Sequence, residues 1–99
     1  MNDFEKLRAN ATEAAQLIRL MGNESRLMIL CTLLDNEMTV TELNEVVPLS
    51  QSALSQHLAT LRHAGLIVGR KEAQKIYYCV ASEAPAKIIA VLKELYCSD

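Results

Sequence analysis

The chain has 99 residues, of which 51% are apolar, and a formal net charge of −2 at pH 7. This length fits one domain over residues 1–99, and no apolar run approaches the ~20 residues that span a membrane, which excludes a membrane partner. Its start, MNDFEKLRAN, is polar and charged rather than a signal peptide, so we expect a cytoplasmic protein.

Two helices are predicted first. Apolar residues at helical spacing predict a helix over residues 3–21, whose alanine-rich side suits close packing against another helix. Asn23 is a suitable N-cap for a second helix that ends near Asp35. The inner face of this second helix is predicted to consist of Leu27, Leu30, Cys31 and Leu34. By itself, Cys31 is a small buried hydrophobic residue.

Residues 39–65 are predicted to form a helix-turn-helix. Thr39 and Glu42 have the spacing of a capping box, in which each side chain accepts a hydrogen bond from the other residue's backbone N–H. Ser50 is a good N-cap for the second helix of the unit, which Gly65 ends. A short helix, a tight turn and a second short helix result.

The second helix of this unit has the composition of a DNA recognition helix. Its leucines fall on one side, Ser52 and Gln56 lie opposite them, and Ser55 lies on the flank. Small side chains let a backbone enter the major groove, and glutamine can pair with adenine through two hydrogen bonds. An ordinary surface helix would instead carry glutamate and lysine, but no charged residue occurs between Gln51 and Leu61.

A basic hairpin is predicted to follow over residues 66–81, with strands at 66–71 and 75–81. Residues 50–81 carry a net charge of +3, whereas residues 1–49 carry −4. Such a hairpin, next to a helix-turn-helix, is typical of a wing that rests on DNA phosphates; a solvated charged hairpin is the alternative. The predicted DNA-binding residues are Ser50, Gln51, Ser52, Ser55, Gln56, Arg62, His63, Arg70, Lys71 and Lys75.

A last helix is predicted over residues 82–97, with an apolar stripe of Ile88, Ile89, Leu92, Leu95 and Tyr96. The apolar content exceeds what so small a chain can bury, so we expect helices 3–21 and 82–97 to form a homodimer. The fold class is therefore mainly α with a small β-hairpin, a winged helix-turn-helix of order α-α-α-α-β-β-α. The three cysteines are too widely spaced for a disulfide framework or a zinc ligand set.

Three segments carry a family resemblance: NESRLMIL at 23–30, LSQSALSQHL at 49–58 and LRHAGLI at 61–67. They resemble the ArsR/SmtB-type bacterial repressors over nearly the whole chain. The resemblance implies a dimeric winged-helix protein that binds inverted-repeat operators in double-stranded DNA and releases them when an inducer arrives. His57 occupies a usual histidine position of the family, and we interpret it as structural because it flanks the apolar side of its helix.

The resemblance also bears on the inducer. Metal sensors of the family carry Cys-x-Cys-Asp-Leu where this chain has Thr39-Val40-Thr41-Glu42-Leu43, and a second family metal site uses Asp and His that residues 83–96 lack. Thiolate and imidazole ligands are thus missing at both places, so we expect no metal and no cofactor.

The chain instead resembles the sulfur- and redox-responsive branch of that family. In that branch a cysteine on the second helix and one at the end of the last helix are joined by a polysulfide bridge or a disulfide. Cys31 and Cys97 match these two positions, which implies a repressor that releases its operator when reactive sulfur species or oxidants bridge them. Cys79 has no counterpart in the pattern and is a competing thiol.

Other functions stay open at this point. Cys31 with His57 or His63 could form a nucleophile and base, but no oxyanion motif or third orienting group accompanies them, so we do not expect an enzyme. The fold could also serve protein–protein contact, although the uncharged serine and glutamine face argues against this. A metal-responsive or constitutive regulator is the remaining alternative.

Overall fold

The computed structural model describes residues 2–97, which form five helices and one antiparallel hairpin. This confirms the predicted mainly α class and the order α-α-α-α-β-β-α. The elements are α1 (Asp3–Met21), α2 (Glu24–Asp35), α3 (Val40–Val46), α4 (Gln51–His63), β1 (Ile67–Glu72), β2 (Lys75–Val80) and α5 (Glu83–Cys97). Among these helices, none has both the length and the apolar character needed to cross a membrane.

The starts of α2, α3 and α4 are fixed by the predicted caps. The side chains of Asn23 and Ser50 each accept a hydrogen bond from the backbone N–H three residues further on. At α3 the capping box is complete: the Glu42 N–H donates to Thr39 Oγ1 at 3.2 Å, and the Thr39 N–H donates to Glu42 Oε1 at 2.9 Å. Local sequence therefore determines where these helices begin.

The end of α4 is a Schellman turn built on Gly65. The Leu66 N–H donates to the Leu61 carbonyl and the Gly65 N–H to the Arg62 carbonyl, both at 3.0 Å. Gly65 has φ of +81°, a conformation that costs glycine little because it has no Cβ. The chain thereby turns sharply from α4 into β1.

The core forms where α2 packs against α5 and β2, and where α4 packs against α3 and β1. Its buried members are Met21, Ile29, Leu30, Leu33, Leu43, Val47, Leu54, Leu58, Leu61, Leu66, Ile67, Tyr78 and Ile89. The predicted inner face of α2 was partly wrong, because Ile29 and Leu33 are fully buried while Cys31 is only half-buried. Since α2 contacts α1, β2 and α5, it buries more than one side, which a single-face pattern does not predict.

A single residue of the α2–α3 connection, Met38, pairs with the hairpin. β1 and β2 pair so that Arg70 lies opposite Tyr77, and each strand differs from its predicted bounds by one residue at one or both ends. On the other edge of β2, Met38 and Tyr78 exchange backbone hydrogen bonds of 3.1 and 2.7 Å. The α2–α3 connection is therefore attached directly to the wing.

Much of the apolar surface of α1 and α5 lies outside this core. On α5, Ile89 is buried, whereas Leu95 and Tyr96 are 67% and 81% exposed, so the predicted stripe divides into an inner and an outer part. Phe4 and Leu7 on α1 are also exposed. These two helices present the largest unburied apolar side chains of the described residues.

Candidate nucleic-acid interface and thiol pair

The outward side of α4 is uncharged over its first two turns. Ser52, Ser55 and Gln56 are all exposed, as are Ser50 and Gln51 at the helix start. The three leucines on the opposite side are fully or almost fully buried and hold α4 against the core. Arg62 and His63, which are also exposed, add basic residues in the last turn. The six predicted residues of α4 and its N-cap Ser50 are thus all accessible to a large ligand.

His57 lies on the inner flank of α4 rather than on this exposed side. It is half-buried, and its Nδ1 accepts a hydrogen bond from Nε of Arg26 at 3.2 Å. Because Arg26 belongs to α2, this contact joins the two helices. His57 therefore supports the position of α4 from behind.

The wing presents its basic residues unequally. Lys71 and Lys75 are exposed near its tip, as expected. Arg70 instead contacts Glu37 and Glu72 at N–O distances of 2.7 and 2.9 Å. The hydrogen bond from Arg70 lowers the pKa of Glu37, and the same contacts raise the pKa of Arg70. Glu37 was missed by sequence reasoning because it lies 33 positions from Arg70 and no local pattern links them.

Two of the three thiols lie on α2 and α5, which pack against each other. Cys31 is half-buried on α2, and Cys97 is exposed as the last residue of α5. Burial raises the pKa of Cys31 above 9.0; the Lys93 ammonium opposes this change, while Cys97 and Asp35 add to it. Cys97 and Lys93 are therefore close enough for their charges to act on Cys31.

Lys93 is held at this place by an ion pair with Asp35, which connects α5 to α2. The hydrogen bond with Asp35 raises the pKa of Lys93, and the charges of Asp35, Cys31 and Cys97 act in the same direction. The ammonium thus remains charged beside both thiols. Asp35 was not predicted as part of this site, because only the packing of the two helices brings it to Lys93.

Cys79, the third thiol, is half-buried on β2 opposite Val68. It belongs to the hairpin rather than to the α2–α5 contact. Within residues 2–97, no three histidine, cysteine, aspartate or glutamate side chains are grouped so that they could hold a metal ion.

Comparison with known proteins identifies the family. The sequence profile of the bacterial regulatory protein arsR family matches residues 23–68. The transcriptional activator HlyU of Vibrio cholerae is 48% identical over 95 residues, which cover 96% of this chain and 88% of HlyU. The biofilm growth-associated repressor of Agrobacterium fabrum is 39% identical over 89% of this chain and 75% of its own length.

Solved structures agree. Reduced HlyU from Vibrio cholerae superposes with a TM-score of 0.89 and 49% identity, covering 95% of this chain and 99% of the HlyU chain in that structure. The transcriptional repressor BigR from Xylella fastidiosa gives a TM-score of 0.89 with 30% identity over the whole of both chains. The chain is therefore a winged helix-turn-helix member of the ArsR family, a DNA-binding transcriptional regulator and not an enzyme.

Proposed function

We propose that this regulator is a homodimeric repressor that releases an inverted-repeat operator when reactive sulfur species or oxidants bridge Cys31 and Cys97. The observation that carries the proposal is that these two thiols lie on packed helices, one on α2 and one at the end of α5. Cys31 lies one turn before Asp35 on α2, Cys97 lies one turn after Lys93 on α5, and the ion pair between Asp35 and Lys93 holds these two turns together, which supports a bridge between the thiols. A half-buried thiol beside an exposed one suits a reversible switch.

The DNA-binding surface is the outward side of α4 together with the wing. Ser52, Ser55 and Gln56 are the base readers, because their small or amide side chains lie on the exposed side of a helix that carries no charge there. Arg62 and His63 in the last turn of α4 and Lys71 and Lys75 on the wing contact phosphates. Ser50 and Gln51 place the helix start at the groove.

The dimer interface is formed by the outer faces of α1 and α5. Leu7, Leu95 and Tyr96 are more than half exposed in the single chain, and burying such side chains stabilises association by about 1.5–3 kcal/mol each at most. A two-fold axis through these helices sets the two recognition helices about one turn of DNA apart. An inverted repeat is the operator that matches this symmetry.

The bridging chemistry begins at a thiolate. The Cys31 thiolate attacks the outer sulfur of a persulfide, displaces a thiol and becomes a protein persulfide. A second persulfide adds one further sulfur in the same way. The Cys97 thiolate then attacks the sulfur next to the terminal one and expels hydrogen sulfide, which leaves a trisulfide between α2 and α5. With peroxide, the two thiols lose two protons and two electrons, which peroxide accepts, and the products are a disulfide and two molecules of water.

The bridge acts on DNA binding through the position of α5. Joining α5 covalently to α2 moves a dimerisation helix relative to the helix-turn-helix and changes the separation of the two recognition helices. Only a few kcal/mol of coupling between bridge and operator are needed for release.

The test follows mass and DNA binding on the same samples. The reduced protein is treated with a persulfide donor or, separately, with peroxide, and its binding to duplexes that it has selected from a random-sequence pool is measured. We expect a gain of one sulfur with loss of two hydrogens after persulfide, and loss of operator binding. Cys31→Ser and Cys97→Ser should each abolish the response, whereas Cys79→Ser, the matched control, should retain it.

Three results would contradict the proposal. If operator binding is lost with both thiols unmodified, the sensor lies elsewhere. If the bridge forms and binding persists, the thiols are reactive but do not regulate. A response that requires Cys79 would transfer the switch to the wing.

A further inference from the structure

Arg70 is the most heavily bonded side chain of the wing. Its Nε and Nη2 donate to the two carboxylate oxygens of Glu37 at 3.1 and 2.7 Å, and its Nη1 donates to Glu72 at 2.9 Å. Its guanidinium carbon also lies 5.1 Å from the centre of the Tyr77 ring, within the range of a cation–π contact. Two carboxylates and an aromatic face therefore surround one cation.

These contacts join separate parts of the chain. Arg70 is on β1, Tyr77 is opposite it on β2, and Glu37 lies beyond β2 in the α2–α3 connection, next to the Met38–Tyr78 bridge. The Arg70 side chain thus crosses β2 and reaches the far edge of the sheet. By contrast, Glu72 is two residues along the same strand and ties Arg70 only to its own hairpin.

The occupied guanidinium is poorly placed to receive phosphate. Arginine binds phosphate through the same paired N–H groups that it uses for carboxylate, and these already face Glu37 and Glu72. A phosphate approaching Arg70 would also meet the two carboxylates, which repel it. Lys71 and Lys75 on the same hairpin are exposed.

We propose that Arg70 is a positioning residue, which fastens the wing to the α2–α3 connection through Glu37, and that Lys71 and Lys75 make the wing's phosphate contacts. Because α3 begins at Val40, directly after this connection, the contact sets the wing against the helix-turn-helix. The DNA part of this inference rests on the proposed function, whereas the fastening itself is a property of the free protein.

The first test is hydrogen exchange of the free protein, followed at the amides of Met38 and Tyr78, which form the bridge. Glu37→Gln and Glu72→Gln each replace one negatively charged partner of Arg70 with a neutral amide. Only Glu37 lies on the far side of β2. We expect Glu37→Gln to speed exchange at both amides by about three- to tenfold, and Glu72→Gln to leave it nearly unchanged. Arg70→Lys, which keeps the charge but loses the paired geometry, should resemble Glu37→Gln.

The second test measures affinity for a duplex of about 30 base pairs that the protein has selected from a random-sequence pool. Loss of a nearby negative charge favours DNA binding in both glutamine variants. The difference between their DNA affinities therefore reports the effect of the contact between Arg70 and Glu37. We expect Glu37→Gln to bind about three- to tenfold more weakly than Glu72→Gln. Lys71→Gln and Lys75→Gln should each reduce the slope of log affinity against log salt by about 0.9 per protomer, with unchanged amide exchange.

Equal exchange rates in Glu37→Gln and Glu72→Gln would overturn the fastening. Tighter DNA binding by Glu37→Gln than by Glu72→Gln would show instead that Glu37 withholds Arg70 from phosphate. If no duplex is selected, the DNA-binding assignment fails, while the exchange experiment still decides whether Arg70 holds the wing.

Discussion

The Nε–H of Arg26 donates to Nδ1 of His57 at 3.2 Å, which joins α2 to the back of the recognition helix. The same guanidinium donates from Nη1 to the carbonyl oxygen of Leu20 at 3.3 Å, near the end of α1. One side chain therefore connects three helices. In the proposed DNA-binding surface α4 presents its outer side to the groove, so we expect this connection to support DNA binding by fixing the orientation of α4 from behind.

We expect Arg26→Ala to lower the free energy of unfolding by about 1–2 kcal/mol, because it leaves the partly buried acceptors at His57 and Leu20 unpaired. His57→Ala should cost less in hydrogen bonding, because Arg26 keeps its contact with Leu20. Urea denaturation gives both values. Arg19→Ala removes an exposed arginine from the last turn of α1 and is the control. An Arg26→Ala protein as stable as Arg19→Ala would show that the connection does not stabilise the fold.

Sequence reasoning worked where the determining interactions are local. Three features depend on residues no more than five positions apart: the capping box at Thr39 and Glu42, the cap at Ser50 and the turn at Gly65. Short sequence patterns were therefore enough to predict them. The exposed serine and glutamine side of α4 followed from the spacing of its leucines. These features also supplied most of the candidate DNA interface.

It failed where distant residues meet. Arg70 was predicted to bind DNA as part of the basic wing, and its ion pair with Glu37, which the bridge between Met38 and Tyr78 brings to it from the other side of the hairpin, was not foreseen. Asp35 was likewise absent from the expected thiol site, because its ion pair with Lys93 spans 58 positions. Such contacts depend on how helices and strands pack against each other, and the hydrophobic periodicity of the sequence does not predict them.

Substitution of either of two glycines, Gly65 or Gly69, should destabilise the fold, for a different reason in each case. A Cβ at Gly69 would lie 2.8 Å from Cγ2 of Ile76 and 3.2 Å from Cε1 of Tyr78, which is buried. At Gly65 nothing lies within 4 Å, but φ is +81°. We expect each alanine variant to lose about 1–2 kcal/mol in the free energy of unfolding, through crowding at Gly69 and backbone strain at Gly65.

Asparagine separates the two causes, because it tolerates the left-handed backbone but is larger than alanine. Gly65→Asn should therefore recover part of the stability lost in Gly65→Ala, whereas Gly69→Asn should be no more stable than Gly69→Ala. Urea denaturation of the four variants provides the comparison. Recovery by asparagine at Gly69 would exclude crowding as the cause there.

The reactivity of Cys31 should depend strongly on pH. Because burial raises its pKa, we expect little thiolate at pH 7 and an alkylation rate that continues to increase at pH values where an ordinary thiol is already ionised. Lys93→Met should slow the reaction at a given pH, because the ammonium lowers this pKa. The measurement is iodoacetamide labelling of the reduced protein, with the Cys31 peptide quantified by mass spectrometry.

The same shift has a consequence for stability. A raised pKa means that the folded state favours the protonated thiol, so its contribution is complete below the ordinary value of 9.0 and is lost as pH rises through the higher folded value. The urea-unfolded chain is the control, because the pH dependence of Cys31 labelling should there match that of an ordinary cysteine thiol. Identical profiles in folded and unfolded protein would show that Cys31 is not shielded.

The outer faces of α1 and α5 give the last prediction. Leu7 and Leu95 are 63% and 67% exposed, so a charge at either position should leave the folded monomer nearly unaffected. In a dimer built on these faces, the charge would be buried against apolar side chains. We expect Leu7→Glu and Leu95→Glu to raise the dimer dissociation constant at least about 100-fold, as measured by sedimentation equilibrium. Val46→Glu changes an equally apolar residue, 53% exposed on α3, and should leave dimerisation intact. If all three variants remain dimeric, the interface lies on another surface and the predicted spacing of the recognition helices must be abandoned.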